Sequence, residues 1–223
     1  MLEARDLYKT YQQNANQLDV VKGVNLKIHK GDVLAIVGPS GAGKSTLLHI
    51  LGGLDQPTKG EVFFENQNIY RLKEAQRAQV RNLKLGFIFQ FYHLLPEFTA
   101  LENVILPALV KEDLKNIDSL KARGQELLDQ VGLKARAEHK PNQLSGGEQQ
   151  RVAVARSLVN NPEIIFCDEP TGNLDSASGR AIIDLLMNLN AKNQQTLVIV
   201  THDENIAKRS HKVIRMKDGM LIN

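Results

Sequence analysis

Cysteine is nearly missing from this chain. The only one in 223 residues is Cys167, so no internal disulfide can form, and a reducing compartment fits. No apolar run approaches the roughly 18 residues that a membrane-spanning helix needs, so any membrane role must come through a partner. Met1–Asp6 alternates charges around no apolar centre, which is not the pattern of a signal peptide. Strong charge of one sign is missing too. The net +3 is spread along the chain and reads as a solvated surface, not a nucleic-acid footprint. The histidines His29, His49, His93, His139, His202 and His211 lack clustered spacing, so no metal cage is expected from them. Repeats, low-complexity tracts and long linkers are absent. What remains is 42% hydrophobic and 24% charged, enough for one large domain or a core with a subdomain.

Against that plain background one stretch stands out. Gly38-Pro39-Ser40-Gly41-Ala42-Gly43-Lys44-Ser45-Thr46 fits the phosphate-loop pattern. Val33–Val37 before it reads as a buried parallel strand, and Leu47–Leu51 after it continues a helix opening at Lys44. A strand-to-helix loop presents unpaired backbone N–H groups and the positive end of the helix dipole. Its glycines let the backbone curl round a phosphate. Lys44 adds a full charge for the β/γ-phosphates, and Ser45 offers a hydroxyl to Mg²⁺. The loop argues for nucleotide binding and leaves the use of the nucleotide open.

The rest of the chain alternates strands and helices. Strands are expected at Leu2–Tyr8 and Val20–Ile28, with a turn at Asn14-Ala15-Asn16. Tyr11 is either an aromatic plug in a small core or a ring stacked on a base. Glu61–Phe64 reads as a strand, Lys73–Leu83 as a charged helix, and Leu85–Phe89 as a buried strand ending at Gln90. Phe91–Phe98 crowds apolar and aromatic residues round Pro96, and either packs internally or forms a docking surface. Thr99 and Glu102 make a capping box, and a helix over Ser119–Val131 stops at Gly132. Leu144-Ser145-Gly146-Gly147-Glu148 opens a helix through Asn160, as a second anion site or an ordinary cap. Ile164–Cys167 is a buried strand ending in Asp168-Glu169, where ligands of such sheets sit, and acids there suit Mg²⁺ and water activation. A helix over Ser176–Asn190 and a strand over Thr196–Val200 lead to Thr201-His202-Asp203, and Lys217–Met220 closes a hairpin.

Taken together, these motifs resemble the ATP-binding cassette (ABC) ATPases over essentially the whole chain. Gly38–Thr46 matches the phosphate loop, Gln90 the Q-loop, Leu144–Glu148 the cassette signature, and Ile164–Asp168 the Walker B strand, followed by Glu169. Asn173-Leu174-Asp175 matches the D-loop, His202 the switch histidine, and Tyr11 the base-stacking aromatic. Two positions depart from the usual pattern. Glu148 stands where Gln is common, and Thr171-Gly172 precedes the D-loop where Ser-Ala is frequent.

The resemblance implies an α/β P-loop NTPase. Its core would be a RecA-like mixed sheet with an antiparallel β-subdomain, joined to a helical subdomain that carries the signature. The chain would be one domain, with residues 1–90 and 161–223 as the core and 91–160 helical. ATP and Mg²⁺ are implied, with Ser45 and Gln90 as metal ligands and Asp168 acting through water. Glu169 would be the general base, with His202 at the γ-phosphate. A head-to-tail homodimer is also implied. Ser145, Gly146 and Gly147 of one copy, with Asp175 nearby, would close over ATP held by the other. Within the family, Gly86–Val104 looks most like the ATPases of bacterial lipoprotein-releasing complexes, with macrolide-exporter and cell-division ATPases as near relatives. Such a subunit would sit at the cytoplasmic face of the inner membrane, with permease subunits docking near Phe91–Phe98. A soluble ABC protein of repair or translation fits less well, because the segment from Gln90 to Ser145 is too short for a long coiled coil.

Overall fold

The computed structural model describes residues 1–13, 16–110 and 116–222. The chain begins with two long antiparallel strands, β1 (Leu2–Gln13) and β2 (Asn16–Ile28). Both run further than the apolar pattern predicts. Polar pairs such as Thr10 opposite Asp19 and Gln12 opposite Gln17 extend the ladder beyond the hydrophobic stretch. Asn14 and Ala15 of the expected turn lie outside the described residues, and Asn16 already belongs to β2. β4 (Lys59–Phe64) and β5 (Gln67–Asn68) complete a four-stranded antiparallel sheet in the order β2-β1-β4-β5.

The second sheet is mixed and six-stranded. It contains β3 (Val33–Val37), β6 (Leu85–Phe89), β7 (Ile164–Asp168), β8 (Thr196–Thr201), β9 (Lys212–Lys217) and β10 (Met220–Ile222), in the order β10-β9-β3-β8-β7-β6. All pairs are parallel except β9–β10, which a two-residue Asp218-Gly219 turn closes with both residues at positive φ. β3 and β8 are buried at every position, as parallel strands covered on both faces must be.

Helix α1 (Lys44–Leu51) buries Leu47, Leu48, Ile50 and Leu51 in the core shared with β1, β2 and β4. The amphipathic α2 (Glu74–Lys84) precedes β6 directly. The helices α3 (Ala100–Leu109), α4 (Ile117–Gln130) and α5 (Gly146–Leu158) pack through Leu101, Val104, Ile105, Leu127, Leu128 and Val152. The same core continues under the sheet to α6 (Ser176–Asn193), while the short α7 (Glu204–Lys208) leads into β9. The mixed sheet, antiparallel sheet and helical group match the expected fold. The helix opening at residue 145 keeps its expected start, with Ser145 as the cap.

Candidate active site

Strand register assembles the site. Val37 pairs with Thr201, Val200 with Asp168, and Asp168 with Phe89. The residues that follow these strand ends are therefore neighbours: Gly38, His202, Glu169 and Gln90. A cavity of about 780 Å³ opens there, lined by Leu18, Val20, Ser40, Gly41, Gly43, Lys44, Ser45, Thr46, Gln90, Glu169 and His202.

The phosphate loop runs from Gly38 to the start of α1. Gly43 caps that helix at φ 97°, where a Cβ would run into the Val20 carbonyl oxygen, so only glycine fits. Lys44 is buried, and its ammonium donates to the Gly38 and Pro39 carbonyls at 2.9 and 3.0 Å. The same group lies 4.0 Å from Glu169 Oε1. Ser45 Oγ donates to Asp168 Oδ1 at 2.8 Å. His49, one turn beyond Ser45 on the same face of α1, brings Nε2 to 3.7 Å from Asp168 Oδ2. Its spacing from Ser45 was the one available signal of this contact.

Glu169 has a left-handed backbone, φ 46°. Its N–H donates to Val200 O at 2.9 Å, and its carboxylate, largely shielded, meets His202 Nδ1 at 3.0 Å. Gln90 forms a reciprocal pair with Asn173: Gln90 Nε2 donates to Asn173 Oδ1, and Asn173 Nδ2 to Gln90 O, both at 3.1 Å. A Cβ on Gly172 would stand 2.8 Å from Gln90 Nε2, so glycine in the Thr171-Gly172 pair makes room for that side chain. Asn173 belongs to the D-loop motif, but nothing in the sequence signals this partnership.

Other expected site residues lie apart. Ser145, Gly146 and Gly147 do not line the phosphate-loop cavity. Ser145 caps α5: its Oγ accepts from Glu148 N at 3.3 Å, and Glu148 Oε2 accepts from Ser145 N at 2.8 Å. These bonds hold the Glu148 carboxyl below its usual pKa, the backbone bond to Ser145 most of all. Asp175 caps α6 by accepting from Ala177 and Ser178 N–H groups at 2.9 and 3.0 Å, and its pKa is lowered by the hydrogen bonds from Ser178 and Ala177. Tyr11 also lies outside the cavity lining. Its hydroxyl donates to Asp55 Oδ2 at 2.5 Å, and Lys9 Nζ sits 4.7 Å from its ring centroid. Leu18, directly across the ladder from Tyr11, reaches the cavity itself; neither it nor Val20 was anticipated. Of Phe91–Phe98, Phe91 is 66% exposed, Leu95 40% and Phe98 38%, while Leu94 packs against the core.

The pattern that defines the ABC transporter family matches residues 21–172. The chain is 52% identical over 221 residues to the lipoprotein-releasing system ATP-binding protein LolD of Legionella pneumophila (strain Lens), covering 99% of this chain and 96% of that protein. It is 49% identical over 223 residues to the LolD protein of Acinetobacter baylyi, covering 100% and 97%. Among solved structures it is similar to the ATP-binding cassette MJ0796, a dimer in a post-hydrolysis state bound to ADP and Pi. That match has 43% identity and a TM-score of 0.92, covering 100% of this chain and 97% of that one. The cbiO1 protein from Clostridium perfringens is 28% identical with a TM-score of 0.86, covering 100% and 86%.

Proposed function

The chain belongs to the ABC transporter family, and from that premise we propose that it is the ATP-hydrolysing subunit of a lipoprotein-releasing complex of the bacterial inner membrane. The observation that carries the hydrolytic reading is Glu169, whose carboxylate stands between the Lys44 ammonium and the His202 ring at the carboxyl end of β7. The backbone of residues 38–46 and Lys44 receive the phosphates of ATP. Glu169 accepts a proton from the attacking water, and His202 orients that carboxylate and meets the γ-phosphate. Ser45, Asp168 and Gln90 offer only oxygen donors, and the Ser45–Asp168 contact already joins two of them. That set suits Mg²⁺, which keeps several waters and phosphate oxygens and, when bound, offsets phosphate charge.

Ser145, Gly146 and Gly147 lie outside their own chain's cavity, which supports a second copy supplying them across a nucleotide-bridged dimer. Among the described residues no helix is long and apolar enough to cross a membrane. Membrane subunits hold the protein at the cytoplasmic face by gripping exposed Phe91, Leu95 and Phe98. Buried Asn103 fixes that stretch, accepting from Leu95 N at 2.8 Å and donating to the carbonyls of Leu95, Phe98 and Thr99.

Glu169→Gln tests the hydrolytic reading. ATP binding should persist while turnover falls by about 10²-fold or more, as for loss of a general base. The variant should also accumulate as an ATP-bound dimer on size exclusion. Parental turnover would remove Glu169 from the mechanism. Copurification then separates the cargo readings: lipoprotein-releasing permease subunits should be recovered, and a macrolide-exporter or cell-division partner would replace that assignment.

A further inference from the structure

Helix α5 is anchored at more than its capped N-terminus. Near its other end stands Arg156, half-buried, where burial disfavours its charge. Its guanidinium turns to two consecutive backbone carbonyls: Nη1 donates to His93 O at 2.5 Å and Nη2 to Tyr92 O at 2.6 Å. Those carbonyls belong to a tight turn closed by a bond from His93 N–H to Phe91 O. Tyr92 and His93 sit at φ 24° and 49°, a region that side-chain-bearing residues hold only when surroundings enforce it.

The same tyrosine reaches the start of α5. A Cβ on Gly146 would lie 2.9 Å from the Tyr92 hydroxyl. Between these two points, fully buried Gln150 donates to Phe89 O at 3.3 Å and Pro170 O at 2.6 Å. The helix that presents Ser145 is therefore fastened on both sides of Gln90, and to the residue after Glu169.

We propose that Arg156 is a positioning residue that makes the Gln90–His93 turn and the α5 helix one lever. By holding Tyr92 and His93 in the left-handed form, it passes any shift of Gln90 to Gly146 and to the exposed Phe91 together. This rests on the dimer reading above and names the residue that carries the motion within each copy. A bidentate fork is required, because a lysine cannot hold both carbonyls in fixed geometry.

The sequence has no tryptophan, so Phe91→Trp adds a single fluorophore at an exposed position beside the turn. In a Glu169→Gln, Phe91→Trp parent, ATP should shift the emission and drive dimerisation. Adding Arg156→Ala should leave the ATP affinity of the monomer, read at protein concentrations too low for dimerisation, within about twofold, abolish the emission shift, and raise the protein concentration needed for dimerisation by about tenfold or more. Arg156→Lys keeps the charge and should give the parental affinity with a reduced emission shift. If Arg156→Ala does not fold, Arg156→Lys decides. A parental emission shift and parental dimerisation with Arg156→Lys overturn the proposal, and so does a loss of ATP affinity in that variant, which would mark a role in building the nucleotide site itself. A parent that binds ATP without dimerising would overturn the dimer reading instead, and the emission shift in the monomer would still decide the clamp.

Discussion

Glu169 occupies a backbone conformation that costs on the order of 1 kcal/mol for a residue with a side chain. The reason lies in strand geometry. Successive residues of a strand point to opposite faces, so Asp168 and Glu169 would diverge if β7 simply continued. The left-handed step lets Asp168 stay on Ser45 while Glu169 turns to His202. Two acids at a strand end were legible in the sequence; the kink that turns the second toward His202 was not. The placement of Lys44 and Ser45 was legible because it follows from a contiguous loop. Leu18 was not, because it reaches the cavity through the β1–β2 ladder. Tyr11 lies between these cases. Burial, and then the Asp55 carboxylate, raise its hydroxyl pKa, so it remains a donor to Asp55. If the ring stacks on adenine, Tyr11→Ala should weaken ATP binding by roughly 1–3 kcal/mol in calorimetry, and Tyr11→Phe should not. Equal losses in both variants would assign the effect to the Asp55 bond. No loss in either would make Tyr11 structural.

Helix ends are legible in the sequence where a side chain caps them. Thr99 and Ser145 each open a helix with a reciprocal acid three residues on; the spacing predicts the box at Thr99, while at Ser145 it leaves a cap or an anion site open. Strand lengths are less legible, because the polar ends of β1 and β2 are held by pairing and carry no hydrophobic alternation. The cap of α5 also explains Glu148. Gln or Glu can complete a capping box, but only Glu brings a charge whose pKa is lowered by the fold. A lowered pKa contributes stability above the unfolded value, about 4.3, which is lost as pH falls through the folded one. The protection factors of the Ser145 and Glu148 amides, taken against intrinsic exchange at each pH, should therefore fall below about pH 4 in the parent. In Glu148→Gln that acid-dependent step should vanish while the cap persists. An unchanged pH profile in the variant would assign the step to another group.

For the molecule as a whole, the order of motifs made the fold legible, whereas the fate of Phe91–Phe98 depended on tertiary packing. Leu94 turns inward to the core while Phe91 and Leu95 remain outside. Phe91→Ala and Leu95→Ala should thus keep the melting temperature within about 2 °C, as surface changes do, and lose assembly with membrane subunits in a pull-down. Leu94→Ala should lose on the order of 2 kcal/mol and several degrees. Retained assembly in the Phe91 and Leu95 variants would place docking elsewhere. The strand order has one more effect, on the timing of synthesis. β3, which feeds the phosphate loop, is flanked by β8 and β9, whose residues are made long after the loop. A nascent chain halted before residue 196 carries the complete loop but neither strand that fixes it. Nucleotide therefore has no finished site to bind until β8 and β9 have left the ribosome. ATP cannot rescue early folding intermediates, and their exposed parallel-strand edges must be shielded by other means.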